Sequence, residues 1–149
     1  MLFSFVSCEE DVRFNTPSFQ GTIDNVLWKA VQSKATVASN GSLVIEAYTG
    51  NEITTLKISA TTLKTYFLGV DTANTASYVL NDASGKVTFA TGTGVGNGQI
   101  VLTEYDAVNH TVSGTFKFNA ENINNNPLFG EEVNFQYGVF YKVPVVSAL

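Results

Sequence analysis

Residues that carry enzyme chemistry are scarce in this chain. It has one cysteine and one histidine. A lone cysteine makes no internal disulfide, and a lone histidine finds no second imidazole with which to share a metal. The charged fraction is 14%, against about 25% in ordinary soluble domains. Eight Lys and Arg residues are scattered singly, so no basic stripe is available to neutralise phosphates, and nucleic acid is excluded as a partner. The net charge of −5 would be repelled by an anionic bilayer, so any membrane attachment needs an anchor. No apolar run approaches the roughly 20 residues that cross a bilayer as a helix.

The remaining composition points to one exported-type β-domain. Hydrophobic residues make up 44% of the 149 positions, enough to bury a core in a chain of single-domain length. Thr, Ser, Asn and Gln supply most of the polar surface, a bias that suits strands and turns.

Apolar residues recur with period two. Phe19, Gly21 and Ile23 share a face opposite Gln20, Thr22 and Asp24. Asp24-Asn25 is a tight turn, because Asn tolerates positive φ. Residues 26–38 read as one extended run carrying Trp28. Asn40-Gly41 is a strong hairpin signal, and Gly50-Asn51 turns the chain again. Thr54, Leu56, Ile58 and Ala60 alternate on one face. Residues 66–68 form a short strand, and 77–80 and 86–90 flank a hairpin loop at 81–85. Residues 99–105 and 111–120 make the clearest hairpin, with Val112, Gly114, Phe116, Phe118 and Ala120 on one side. Val133, Phe135, Tyr137, Val139, Tyr141 and Val143 alternate to the end.

Roughly nine or ten strands with short loops predict an all-β antiparallel meander, arranged as a two-sheet sandwich or as a closed or partly open up-and-down barrel. Uneven strand lengths favour the sandwich. Hairpin-sized connections exclude parallel pairing, which needs crossovers of a dozen or more residues. The expected organisation is a leader remnant and tether over residues 1–18 and a single β-domain over 19–149.

No constellation assembles a catalytic centre. His110 sits at a hairpin tip beside Asn109, with no partner nucleophile in view. Glu104 and Asp106 lie two apart on one strand and read as a solvated strand end. The Asp- and Asn-rich loops lack the spacing of a calcium motif. The glycine-rich stretch 91–98 resembles a phosphate loop only superficially: it has no Lys and no helix after it, and reads as a mobile hairpin loop. Trp28, Tyr48, Tyr66, Tyr78, Phe116, Phe118, Tyr137 and Tyr141 supply ring area, which the alternation turns mostly inward; exposed in a row, such rings would stack on sugars or apolar ligands. No cofactor and no metal are implied.

Cys8 carries the clearest signal. It ends the apolar run Leu2-Phe3-Ser4-Phe5-Val6-Ser7 and precedes Glu9-Glu10-Asp11. An apolar run, a small residue and then cysteine is the pattern of a lipid-accepting residue. The run is shorter than the apolar region of about 7–15 residues in a whole signal peptide, so it reads as a leader remnant. The plainer alternative makes 2–6 an edge strand and Cys8 a chance thiol.

Phe19-Gln20-Gly21-Thr22-Ile23-Asp24-Asn25-Val26-Leu27-Trp28-Lys29-Ala30, then Val112-Ser113-Gly114-Thr115-Phe116-Lys117-Phe118-Asn119-Ala120, resemble the opening and the late hairpin arm of a family of small uncharacterised lipoproteins of Bacteroidota. Asp24-Asn25 replaces that family's Asp-Gly turn, and Gly21 replaces its usual Ala. The resemblance implies lipidation at Cys8, and it makes Glu9-Glu10-Asp11 similar to that phylum's surface-export signal. Asp71-Thr72-Ala73 resembles its O-glycosylation triplet. The expected function is a non-enzymatic interaction or accessory module, held at the outer membrane of the cell envelope by its N-terminal lipid and binding a protein or glycan. The alternatives are a carrier of a small hydrophobic ligand or glycan, and a hydrolase built on carboxylates that the sequence does not bring together.

Overall fold

The computed structural model describes residues 17–147, so Cys8 and the acids after it lie outside the described residues. Within them the chain forms strands and no helix: β1 (Ser18–Ile23), β2 (Val26–Lys29), β3 (Gln32–Val37), β4 (Leu43–Tyr48), β5 (Glu52–Ile58), β6 (Thr65–Leu68), β7 (Thr75–Asp82), β8 (Gly85–Ala90), β9 (Asn97–Asp106), β10 (Thr111–Asn122) and β11 (Glu132–Ser147). The fold is all-β, with slightly more strands than the sequence pattern suggested.

All eleven strands belong to one mixed sheet in the order β2-β1-β11-β3-β4-β5-β7-β8-β10-β9-β6, with β10 also paired to β11. The two longest strands make this possible. Along one edge β11 pairs first with β1 and then with β3. Similarly, β10 pairs with β9 and then, through Glu121 and Asn122, with β8. Seven strands thereby close a hydrogen-bonded ring, and β1, β2, β9 and β6 extend beyond it. A six-strand portion (β2, β1, β11, β10, β9, β6) and a five-strand portion (β3, β4, β5, β7, β8) meet across one core. Tyr78 of β7 packs edge-on to Phe135 of β11 at 5.7 Å. The two faces expected of a sandwich are thus joined by continuous pairing.

One pairing corrects the sequence reading. β3 and β11 run parallel, with Ala35 opposite Val145. Loop length argues only about strands that are neighbours in sequence. These two come from opposite ends of the chain, so the short connections never constrained them. A second correction concerns residues 26–38, which split into β2 and β3. Ala30 donates to Phe19 O at 2.9 Å and Val31 donates to Tyr48 O at 2.8 Å, handing the chain from β1 to β4.

The local turns follow their residue types. Asp24 and Asn25 take φ of 49° and 72°, the paired positive values of a tight hairpin. Asn40 Oδ1 accepts from Ser42 N at 3.0 Å and from Ser42 Oγ at 2.8 Å, fixing the turn before β4. In the glycine-rich stretch 91–98, Gly92 and Val95 bridge across a tight turn whose tip at Thr93 and Gly94 is exposed. A Cβ on Gly98 would lie 2.3 Å from Lys117 O, and one on Gly96 2.4 Å from Asn119 O, so these glycines permit backbone contact.

The core is aromatic. Phe118 stacks on Phe135 at 4.7 Å and Phe19 lies 4.9 Å from Phe116. Trp28 meets both Phe19 and Phe135 edge-on. Such pairs contribute about 0.5–1.5 kcal/mol each beyond the area they bury.

Candidate binding face

The outward side of the six-strand portion is where the chain departs from its own pattern. Period two from Phe135 would turn Tyr137 into the core. Instead the pairing of β11 with β1 slips by one residue between Gln20 and Thr22, and its pairing with β10 slips between Phe116 and Phe118. This is a β-bulge, which places an extra residue in β11 and re-aims its side chain. Gly138 then faces inward, and the following inward ring is Phe140, fully buried. Tyr137 is left 81% exposed with φ of 55°.

Two glycines build the bulge. A Cβ on Gly138 would lie 2.5 Å from Cε2 of Phe116, so the Phe116 ring fills the space where a side chain would stand. Across the strand, a Cβ on Gly21 would lie 3.0 Å from Gln136 O and 3.1 Å from Gly138 Cα. The left-handed conformation is costly for a bulky residue, about 1–3 kcal/mol. A second bulge at Lys142, φ 48°, resets the face again so that Val143 points inward. There Lys142 N donates to Ser113 Oγ at 2.9 Å, and Lys142 Nζ lies 3.8 Å from Glu104 Oε1. The unbroken alternation expected for 133–143 is therefore interrupted twice.

Polar rows flank Tyr137. Asn134 Nδ2 donates to Asn119 Oδ1 at 2.6 Å, and Asn119 Nδ2 donates to Asn97 Oδ1 at 2.9 Å. Asp24 Oδ1 closes this row by accepting from Asn134 N at 2.9 Å. In the adjacent row Phe67 faces Gln99, Gln99 faces Lys117, and beyond the bulge Gln136 faces Thr22 and then Leu27. A shallow cavity of about 460 Å³ lies on this face, lined by Gln99, Thr115, Lys117, Gln136, Tyr137 and Val139, with Phe116 and Gly138 at its floor. Its amides, hydroxyls and single ring suit recognition by contact and hydrogen bonding.

Of the other residues singled out from sequence, His110, Asp106 and Glu104 gather at the β9–β10 hairpin end, away from this face. His110 is exposed at the β9–β10 turn with φ of 58°. Asp106 caps that turn, accepting from Val108 N at 3.1 Å and Asn109 N at 2.9 Å. These hydrogen bonds, that from the Asn109 backbone foremost, hold its carboxyl below the usual range. Glu104 is turned toward Lys142. Asp71-Thr72-Ala73 forms an exposed turn in which Asp71 Oδ1 accepts from Ala73 N at 3.0 Å. Trp28, Tyr66, Tyr78, Phe116 and Phe118 are buried as the alternation implied; Tyr48 and Tyr141 are half-buried, and Tyr137 is exposed. Its signal in the sequence was Gly138, an isolated glycine inside an otherwise regular strand.

Tyr78 and Glu52 form a polar pair on the core side of the five-strand portion. The Tyr78 hydroxyl donates to Glu52 Oε2, and Thr49 Oγ1 donates to Glu52 Oε1 at 2.8 Å. Burial, reinforced by the adjacent carboxylate, pushes the Tyr78 hydroxyl far above its ordinary value. Among the described residues no three His, Cys, Asp or Glu side chains gather where they could hold a metal ion.

The family model described as a domain of unknown function, DUF6252, matches residues 15–144, and the chain belongs to that family. No curated protein and no solved structure matches it.

Proposed function

We propose that this DUF6252 domain is a lipid-tethered, non-enzymatic interaction module of the bacterial cell envelope, and that its contact surface is the outward face around Tyr137. The observation that carries the reading is Tyr137 itself: a large ring left 81% exposed in a left-handed backbone. Strain of this kind collects where a fold holds a group for use. Conserving the core does not require the ring, because it touches solvent on the far side of the sheet from Phe116 and Phe118.

The tether is Cys8, read as the acylated cysteine of a lipoprotein of the Bacteroidota type and placed at the outer membrane. Each buried CH₂ contributes about 0.8 kcal/mol, so a single chain binds marginally while two or more anchor stably. The segment from Cys8 to the start of β1 can extend about 35 Å, enough to hold the domain clear of lipid headgroups. His110, Glu104 and Asp106 share one exposed hairpin end, where Asp106 is held by the turn amides and Glu104 by Lys142, and this supports a binding role over a hydrolytic one. The interior packed with Phe19, Trp28, Phe116, Phe118, Phe135 and Phe140 supports a surface binder over a carrier, which needs an enclosed apolar cavity.

Two measurements in the native host test the reading. Cys8→Ala is expected to move the protein from the membrane to the soluble fraction; unchanged fractionation would refute the anchor. A photoreactive side chain at position 117 is expected to give a discrete adduct in whole cells, while the same group at position 108, on the exposed β9–β10 turn, gives none. Equal behaviour at both positions would refute the face.

A further inference from the structure

We infer that the ligand of this face is a neutral polysaccharide chain, stacked on Tyr137 and hydrogen-bonded by the amide and hydroxyl groups around it. The inference rests on the reading of this face as the contact surface and names what that surface takes.

Four observations carry it. The exposed Tyr137 ring borders a shallow cavity on the sheet, and its π-face is open to the apolar side of a sugar ring. Around it the polar groups are mostly amides and hydroxyls: Gln99, Gln136 and Thr115 line the same cavity, and Asn97, Asn119 and Asn134 form the adjoining row. An amide offers a donor and an acceptor together, which matches sugar hydroxyls that are both. Charge is nearly absent. Lys117 is the one charged side chain among the described residues lining the cavity, so there is no row of cations to hold a polyanion, and the net charge of −5 disfavours its approach at long range.

The fourth observation is length. Phe67 is 60% exposed in edge strand β6, and the row from Phe67 through Gln99 and Lys117 leads to the Tyr137 bulge. Three strand spacings separate the two rings, about 14 Å at about 4.8 Å per spacing. Two aromatic platforms joined by hydrogen-bonding groups suit an extended oligosaccharide lying across the strands. The volume of about 460 Å³ falls within the usual range of ligand sites, about 300–1,000 Å³. The cavity is shallow, so the chain would pass over it without inserting an end.

The test uses the full chain on an array of defined neutral and anionic oligosaccharides, followed by affinity electrophoresis in the neutral polysaccharide that scores highest. Dextran sulfate serves as the anionic control. Wild type is expected to bind neutral glycans and to be retarded by that polysaccharide. Tyr137→Ala is expected to weaken retardation at least tenfold, and Tyr137→Trp to preserve it. Tyr137→Gly, which suits the left-handed backbone, keeps the test valid should Tyr137→Ala fold poorly; it too is expected to lose retardation. Binding to anionic glycans alone, no glycan binding, or retardation indifferent to position 137 would overturn the inference. A protein adduct from position 117 without glycan binding overturns this inference and leaves the interaction module standing. Loss of both signals overturns both.

Discussion

Gly138 lies flat against the ring of Phe116, so that a Cβ at position 138 would come within 2.5 Å of Cε2 and 2.6 Å of Cδ2. This contact places the bulge in β11 and turns Tyr137 outward. The ring is held between Phe19 and Phe118 and cannot retreat freely. Gly138→Ala is therefore expected to destabilise the domain by about 1–3 kcal/mol, the usual cost of overpacking. Chemical denaturation monitored by Trp28 fluorescence checks it, and an unchanged midpoint would mean that Phe116 has room to move.

Phe116 itself tests the core. It contacts Phe19, Phe118, Phe135 and Phe140, all of them buried. Phe116→Ala is expected to cost about 3–5 kcal/mol, from lost transfer free energy and the cavity left behind. A neutral effect in urea unfolding would contradict the assignment of this ring to the interior.

Much of this core was legible from sequence, because its signals are local. Val112, Phe116, Phe118 and Ala120 alternate in the sequence and are buried in the fold. Asp24-Asn25 and Asn40-Gly41 turn the chain where their backbone tolerances allow. What was not legible depends on contacts between distant residues. The inward register of β11 after Phe135 is reset by Phe116 over Gly138 and again by Ser113 accepting from Lys142, and neither contact is visible in a period-two pattern. The parallel pairing of Ala35 with Val145 has no local signal at all. The candidate face inherited this blindness, since reading Tyr137 as a core residue followed from assuming an uninterrupted strand.

Tyr78 gives a prediction in pH. Burial, together with the hydrogen bond to Glu52 and its charge, raises the folded-state pKa of the hydroxyl above the ordinary 10.0. The unfolded chain releases this proton near pH 10 while the folded chain keeps it, so folding stability is complete below pH 10 and declines as pH rises beyond it. Burial raises Tyr48 and Tyr66 in the same direction. Tyr78→Phe is expected to lower stability at pH 7 by about 1.5–3 kcal/mol through the lost hydrogen bond to a carboxylate, and to flatten the decline above pH 10. Urea midpoints between pH 7 and 11 measure both. An equally steep alkaline decline in the variant would show that Tyr78 does not contribute to it.

On the proposed function, Tyr137 is held outward for contact and not for stability. Equilibrium unfolding of Tyr137→Gly tests it most directly, because glycine adopts the left-handed backbone at φ of 55° without steric cost. The expected midpoint equals or exceeds that of the parent chain, a gain of up to about 1 kcal/mol once the strain of about 1–3 kcal/mol is set against glycine's greater chain entropy. A loss of more than about 1 kcal/mol, the range of a side chain packed into the fold, would make Tyr137 a structural residue and refute its role in contact.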